Sequence, residues 1–312
     1  MSSKMNRYLT MLIIVLLFTF LVSGCGQTEN PPYIDFQDRE VIQNTKLTPE
    51  QIPLRISLAS ITSTQNSVSY YEELLDLLSE TIERPVKLVQ RNTYAEVNEL
   101  LRTGQIDVAF ICTNAYVTGH DQFGLELIAA PAKDGHASYR SYIIVRRDSE
   151  IKSFQDLKGQ RFAFTDSMST TGYLYPLSLV SKLNYSLESF FSDHIFTFSH
   201  DNSVKAVSHG IVDGAAVESM VFSHMVENQP EITNNVRIIK QSIDFASPPI
   251  VARADLDDET KNKITDFITT LDETKKGQSI LAEMGIDEYK KVDDEAYDSV
   301  RMIGKVLNLD GE

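Results

Sequence analysis

The apolar positions of this chain recur with two periods that take turns. "PLRISLAS" (53–60) reads as a first strand, and "SVSYYEELLDLLSETI" (67–82) carries apolar residues at helical spacing up to Arg84-Pro85. "VKLVQR" (86–91) predicts a second strand. "TYAEVNELLRTGQ" (93–105) predicts a helix closing at Gly104. "IDVAFIC" (106–112) is the unbroken apolar run expected of a strand covered on both faces. "LELIAAPA" (125–132) and "YRSYIIVRR" (139–147) follow as strands.

The alternation then restarts. "SFQDLKG" (153–159) is a short helix, "QRFAFTD" (160–166) a strand, and "TTGYLYPLSLVSKL" (170–183) a helix with Pro176 early in it. "IFTFSH" (195–200) is a strand, with His200 at its end. "DNSVKAVSHG" (201–210) is a helix with an Asp or Asn cap, and "VDGAAVES" (212–219) and "VRIIKQS" (236–242) are strands. After "SPPIVAR" (247–253) the pattern is mainly helical. Two such units predict an α/β chain of two lobes, with crossings near 142–145 and 245–250 and a cleft between them. The expected divisions are 54–142 for the first part of lobe 1, 143–245 for lobe 2, and 246–312 for a return to lobe 1 with the C-terminal helices. Ligands in such folds collect at the carboxyl ends of strands.

The first 53 residues break this pattern. Lys4 and Arg7 precede the apolar core "LTMLIIVLLFTFLV" (9–22), which is short for a membrane span and ends in small residues. "LVSGC" (21–25) resembles the lipobox of bacterial lipoproteins. Residues 1–24 are then a signal peptide and Cys25 the lipidated first residue, carrying a palmitate-type anchor. Residues 25–53 are polar and Pro-containing and read as a tether. The expected location is the extracytoplasmic side of the cell membrane, held by lipid.

Composition narrows the partners. The net charge of −15 moves to −17 once Lys4 and Arg7 leave with the signal. No basic face for nucleic acid is expected. A small anion remains admissible, because local amides and hydroxyls override global sign. With Cys25 lipidated, Cys112 is alone, and it reads as a buried, inert thiol. No metal-ligand spacing is present, and a monomer is expected.

One stretch carries candidate chemistry. In "FTDSMSTTGYLY" (164–175), Ser167, Ser169, Thr170 and Thr171 crowd against Gly172 where a strand turns into a helix. Turn chemistry with an N-cap is one reading. The other is an oxyanion site, where unpaired N–H groups and the helix dipole meet hydroxyl donors and a glycine permits close approach. His200 either caps a helix or contacts that anion.

"DLKGQRFAFTDSMSTTGYLYP", "SHDNSVKAVSHGIVDGAAV" and "SPPIVAR", with the earlier "IDVAFI" and "AYV", resemble the phosphonate/phosphite/phosphate-binding proteins of ABC importers, the PhnD-like family. The similarity runs from about Leu54 to the C-terminal helices. It implies a type II periplasmic-binding fold closing on ligand, with a membrane permease as partner. It also implies a phosphoryl site made by Ser169, Thr170, Thr171 and His200, with Tyr94 and Tyr139 from the other lobe. Members that take 2-aminoethylphosphonate hold its ammonium with two carboxylates, and the matching positions here are Met220 and Pro248. The resemblance therefore implies phosphate, phosphite or a phosphonate without an amine. A ligand sensor feeding a membrane kinase is the alternative. A Ser169–His200 hydrolase is disfavoured, since no Gly-x-Ser-x-Gly elbow and no metal cluster accompany the pair. The protein is read as a binder, not an enzyme, and no cofactor is expected.

Overall fold

A computed structural model describes residues 52–59 and 64–307. The signal-peptide and Cys25 readings and nearly all of the tether lie outside what it describes. Two sheets carry the architecture. The first has the order β13-β4-β12-β3-β1-β2, from β1 (Leu54–Leu58), β2 (Val86–Leu88), β3 (Val108–Phe110), β4 (Glu126–Ala132), β12 (Ile250–Ala252) and β13 (Glu288–Lys290). β1 runs parallel to β2 and β3, whereas β12 enters antiparallel between β3 and β4. The second has the order β10-β6-β9-β7-β8, from β6 (Ser141–Arg146), β7 (Arg161–Phe164), β8 (Asp193–Phe196), β9 (Gly214–Glu218) and β10 (Val236–Gln241). β7 lies parallel to both β8 and β9, and β6 antiparallel to β9 and β10.

The two sheets are joined by a two-stranded antiparallel pair, β5 (Ser138–Tyr139) with β11 (Phe245–Ala246). The first crossing therefore precedes the position expected from sequence, and Tyr142–Val145 lie inside β6. Two-residue strands are too short to show a period.

The helices follow from local signals. α1 spans Thr64–Ile82. α2 (Tyr94–Arg102) starts at a capping box in which the Thr93 hydroxyl accepts the Glu96 N–H and the Glu96 carboxylate accepts the Thr93 N–H. α3 (Thr113–Phe123) ends on Gly124 in the left-handed conformation. α4 (Tyr175–Lys182), α5 (Leu187–Phe190), α6 (His200–Ser208), α7 (Ser219–Asn228) and α8 (Pro230–Thr233) belong to the second lobe. α9 (Asp258–Thr269), α10 (Lys275–Met284) and α11 (Asp298–Val306) close the chain.

Alternation within the strands sorts the core. In β9, Ala215 and Val217 pack toward α6 and α7 with Val204, Val207 and Phe222, while Ala216 points the other way. In the first sheet, Ile56, Val108 and Ile250 pack toward α1, α9 and α10, and Ala109 and Val251 toward α2 and α3. The cluster holding Ala109, Ala216, Val251, Tyr94 and Tyr139 is continuous from one lobe to the other. Burial on both faces of both sheets is the main stabilising term, at about 25 cal/mol per Å² of apolar surface removed from water. Among the described residues, no helix is long and apolar enough to cross a membrane.

Candidate functional site

The hydroxyl stretch folds as a π-helical turn, Thr170–Leu174, before α4 begins. Pro176 explains this departure from the single helix expected. Its nitrogen carries no hydrogen, so the Gly172 carbonyl loses its α-helical donor and instead accepts the Thr165 N–H at 3.3 Å. The Leu174 N–H reaches back five residues to the Ser169 carbonyl at 2.9 Å. Ser169 caps the turn by accepting the Gly172 N–H at 2.9 Å, and its own proton remains to donate. Ser141 of β6 pins the turn from below by donating to the Thr171 carbonyl at 2.6 Å. Gly172 is obligatory here, since a Cβ would sit 1.7 Å from Thr165 Oγ1.

Several hydroxyls of this region are buried without protein partners. Ser169, Thr170 and Thr171 are 0% exposed. Among the described residues, Thr165 Oγ1, Thr170 Oγ1, Thr171 Oγ1, Ser199 Oγ and Tyr94 Oη have no protein hydrogen-bond partner; Ser57 Oγ, Asn98 Oδ1 and Ser247 Oγ share that state. Leaving a buried polar group unpaired costs about 1–3 kcal/mol, so a cluster of them calls for a ligand.

His200 lies one element further along. It does not end the strand, as the sequence reading had it; β8 stops at Phe196 and His200 is the first residue of α6. Phe198 takes a left-handed φ of 58°, a strained state for a bulky residue, as the chain turns into that helix. Ser199 occupies the cap position without a side-chain bond. The imidazole is 1% exposed, and its Nδ1 accepts the Glu218 N–H at 3.1 Å. That bond places the ring proton on Nε2. Burial pulls the imidazole pKa down to about 3, partly opposed by Asp201, so the ring is a neutral Nε2–H donor.

Two lobe-1 elements close the cleft. Tyr94 opens α2, is 1% exposed, and turns its hydroxyl inward; burial, then the charges of Cys112, Asp166 and Glu218, raise its pKa well above the ordinary value. Its N–H donates to Asp166 Oδ2 at 3.1 Å, across the cleft, while Asp166 Oδ1 accepts the Met168 N–H at 2.8 Å. Cys112 is not only packed. At the start of α3 its Sγ accepts the Thr170 N–H at 3.5 Å, a second bond between the lobes. Tyr139 in β5 is 2% exposed and its hydroxyl lies 2.8 Å from Thr113 Oγ1, which donates to the Ala246 carbonyl at 3.1 Å. With the Thr113 proton spent on that carbonyl, the Tyr139 proton goes to Thr113.

Sequence reasoning missed Glu218. It follows Val217 at the end of β9 and takes the Ala216 parity, opposite to the face that packs Ala215 and Val217 against Val204, Val207 and Phe222. The residue is 4% exposed, with Oε2 3.9 Å from His200 Nε2. Burial pushes its carboxyl up to about 8. With the imidazole neutral down to about pH 3, this is a neutral pair over most of the physiological range and no ion pair. The signal available was an acid terminating an all-apolar strand at its carboxyl end, two residues before the Met220 that drew attention. Glu218 also borders a pocket of about 100 Å³ lined by Ile111, Pro131, Met220, Pro248 and Met284. Met220 and Pro248 thus flank the cradle and offer no charge. His120, His136, His194, His209 and His224 are none of them buried; His224 reaches the outer wall of that pocket.

These residues form a cleft between two α/β lobes, with buried hydroxyl and imidazole groups from both sides and no cationic side chain among them, the architecture of a two-lobed binding protein. The profile of the family described as the ABC transporter phosphonate periplasmic substrate-binding protein matches residues 56–297, and the chain belongs to that family. It is 28% identical over 257 residues to the phosphate-import protein PhnD of Mycolicibacterium smegmatis, covering 78% of this chain and 76% of that one. The binding-protein component of an ABC phosphonate transporter from Pseudomonas aeruginosa superposes with a TM-score of 0.76 at 27% identity, over 81% of this chain and 85% of that one. PhnD1 of Prochlorococcus marinus, solved with methylphosphonate, also gives 0.76 at 21% identity, over 84% and 99%. The fold is the two-lobed type II periplasmic-binding architecture, and the family is one of substrate-binding components of importers.

Proposed function

We propose that this protein captures a tetrahedral phosphorus oxyanion between its lobes and presents it to a membrane permease. The ligand is phosphate, phosphite or a phosphonate without an amine. The observation that carries this reading is the set of buried, unpartnered hydroxyls of Thr170, Thr171 and Tyr94 gathered in the same cleft as the neutral His200. Ser169 adds a hydroxyl and Tyr139 shapes the hinge side, while the Thr170 and Gly172 N–H groups are taken by Cys112 and Ser169. The names of the relatives, a phosphate importer and a phosphonate-transporter component, agree with this ligand class. The role is capture and presentation of a ligand, in line with a family of substrate-binding components.

The division 54–142, 143–245 and 246–312 is our proposal for the lobes, with a single chain as the working unit. Cys25 is proposed as a lipid anchor, holding the protein on the extracytoplasmic face. Its test is the loss of labelled palmitate and of membrane retention in C25A. The ligand test is calorimetry against phosphate, phosphite, methylphosphonate and 2-aminoethylphosphonate. Binding of the last alone would refute the reading of Met220 and Pro248, and binding of none would refute the ligand class.

A further inference from the structure

We propose that Glu218 is itself a ligand-binding residue, and that anion capture is coupled to one proton held between its carboxyl group and a ligand oxygen. The inference rests on the phosphorus-oxyanion reading and adds a residue and a linkage to it. Glu218 stands at the carboxyl end of β9, where its N–H fixes the His200 tautomer and its carboxyl group lies 3.9 Å from the nitrogen that carries the ring proton. A ligand oxygen within reach of His200 Nε2 is therefore close to the Glu218 carboxyl. Among the described residues, no lysine or arginine pairs with it. Asp107, a buried acid of lobe 1, is by contrast held by Arg55 and Arg253.

Titratable groups face it from several elements. Tyr94 from α2, Cys112 at the start of α3 and Tyr139 from β5 are all held protonated by burial first, and Glu218 contributes to each of these shifts. Asp166, after β7, has its carboxyl raised by burial and is occupied by two peptide N–H groups. Asp201 of α6 pairs with Lys205. Along the pocket, Tyr71 of α1, half-buried His224 of α7, exposed Glu283 of α10 and Tyr289 of β13 complete the set.

An ionised carboxylate beside a phosphorus anion, in a dry site with no cation, repels it. One proton removes the repulsion and makes a short charge-assisted O–H···O bond. The proton is either carried by Glu218, which then donates, or brought by an acidic ligand, which then donates to the carboxylate. Nothing else changes hands, and no bond to phosphorus forms or breaks. Burial already raises the carboxyl to about 8, so the site enters binding protonated at neutral pH.

The test is calorimetry with inorganic phosphate and with methylphosphonate between pH 6 and 9.5, each in two buffers of different ionisation enthalpy. The wild type should lose about tenfold in affinity per pH unit above about 8 and take up about one proton on binding at pH 9. Glu218→Gln keeps the shape and donates permanently, so it should flatten that slope and abolish the uptake. His224 and Glu283 remain in both proteins, and their contributions cancel in the comparison. A direct reading needs no variant: mixing unbuffered protein and ligand at pH 9 should raise the pH. If neither anion binds at pH 6, the ligand class fails and the Glu218 proposal with it. If both bind but wild type and E218Q share one slope and one proton count, or mixing leaves the pH unmoved, the ligand class stands and the proposal is overturned.

Discussion

Replacing Thr171 with valine separates a binding hydroxyl from a structural one, because the two roles predict opposite signs. The side chain is 0% exposed and its Oγ1 has no protein partner among the described residues, while the residue's carbonyl is held by Ser141. Valine keeps the branched shape and leaves the carbonyl bond untouched. In the ligand-free protein the substitution removes an unsatisfied buried hydroxyl that costs about 1–3 kcal/mol. Stability should hold or rise by about 1 kcal/mol, a Tm gain of about 2 °C for a domain of this size. In the complex it removes a donor to an anion, and a charge-assisted bond contributes about 1.5–3 kcal/mol. Affinity should fall about 10- to 150-fold. The assay pairs thermal unfolding without ligand and calorimetry with phosphate and methylphosphonate. A variant that unfolds several degrees earlier yet binds as tightly as the wild type would show that the hydroxyl serves the fold, and would remove the central support for the cradle.

Met220→Glu places an acid on the pocket wall bordering Glu218 and should raise the 2-aminoethylphosphonate to methylphosphonate affinity ratio at least about tenfold; an unchanged ratio in calorimetry would place the ligand's substituent elsewhere. Gly172→Ala drives a Cβ to 1.7 Å from Thr165 Oγ1 and should cost about 2 kcal/mol or more with loss of binding, both partly restored by adding Thr165→Ala; no rescue in thermal unfolding would refute the clash. His200 is held neutral with its pKa at about 3, so its contribution to stability is present above the ordinary value of 6.5 and is lost as pH falls toward 3. His200→Asn should lose Tm less steeply than the wild type between pH 6.5 and 4, and parallel curves would contradict this. Asp166→Ala removes the acceptor of the Tyr94 N–H across the cleft and should weaken ligand affinity about tenfold with a larger ligand-free radius in solution scattering; an unchanged radius and affinity would deny it a part in closure.

Much of this site was legible in the sequence, and the remainder was hidden for identifiable reasons. β3 and β9 announced themselves as unbroken apolar runs because both faces of each sheet are covered. The crowding of Ser169, Thr170 and Thr171 against Gly172 marked the turn, since that composition suits a tight backbone more than a helix interior. The π-turn itself was not legible. It depends on how Pro176 frees one carbonyl and on Thr165 being near enough to use it. His200 was visible as a residue, but its tautomer is set by a peptide N–H eighteen positions later on another strand. Cys112 read as plain core because its Sγ bond to Thr170 joins residues of different lobes. Glu218 was overlooked because its meaning comes from strand parity and from a missing counter-ion, and neither is a motif.

These pieces also explain how a chain of net charge −15 holds an anion. A lysine or arginine in the cleft would attract anions of many kinds from solution, and its hold would weaken with salt. The donors of the proposed site are fixed dipoles instead: a neutral imidazole and hydroxyls, all shielded from water. Dipoles of this kind act strongly only at contact and in low dielectric. Binding therefore depends on closure, because Tyr94 and Cys112 come from one lobe and the turn, His200 and Glu218 from the other. The Thr170–Cys112 and Tyr94–Asp166 bonds join the two lobes in this structure. Such a site should show weak salt dependence of affinity and a release rate set by reopening. Closure would then be the property a permease has to recognise.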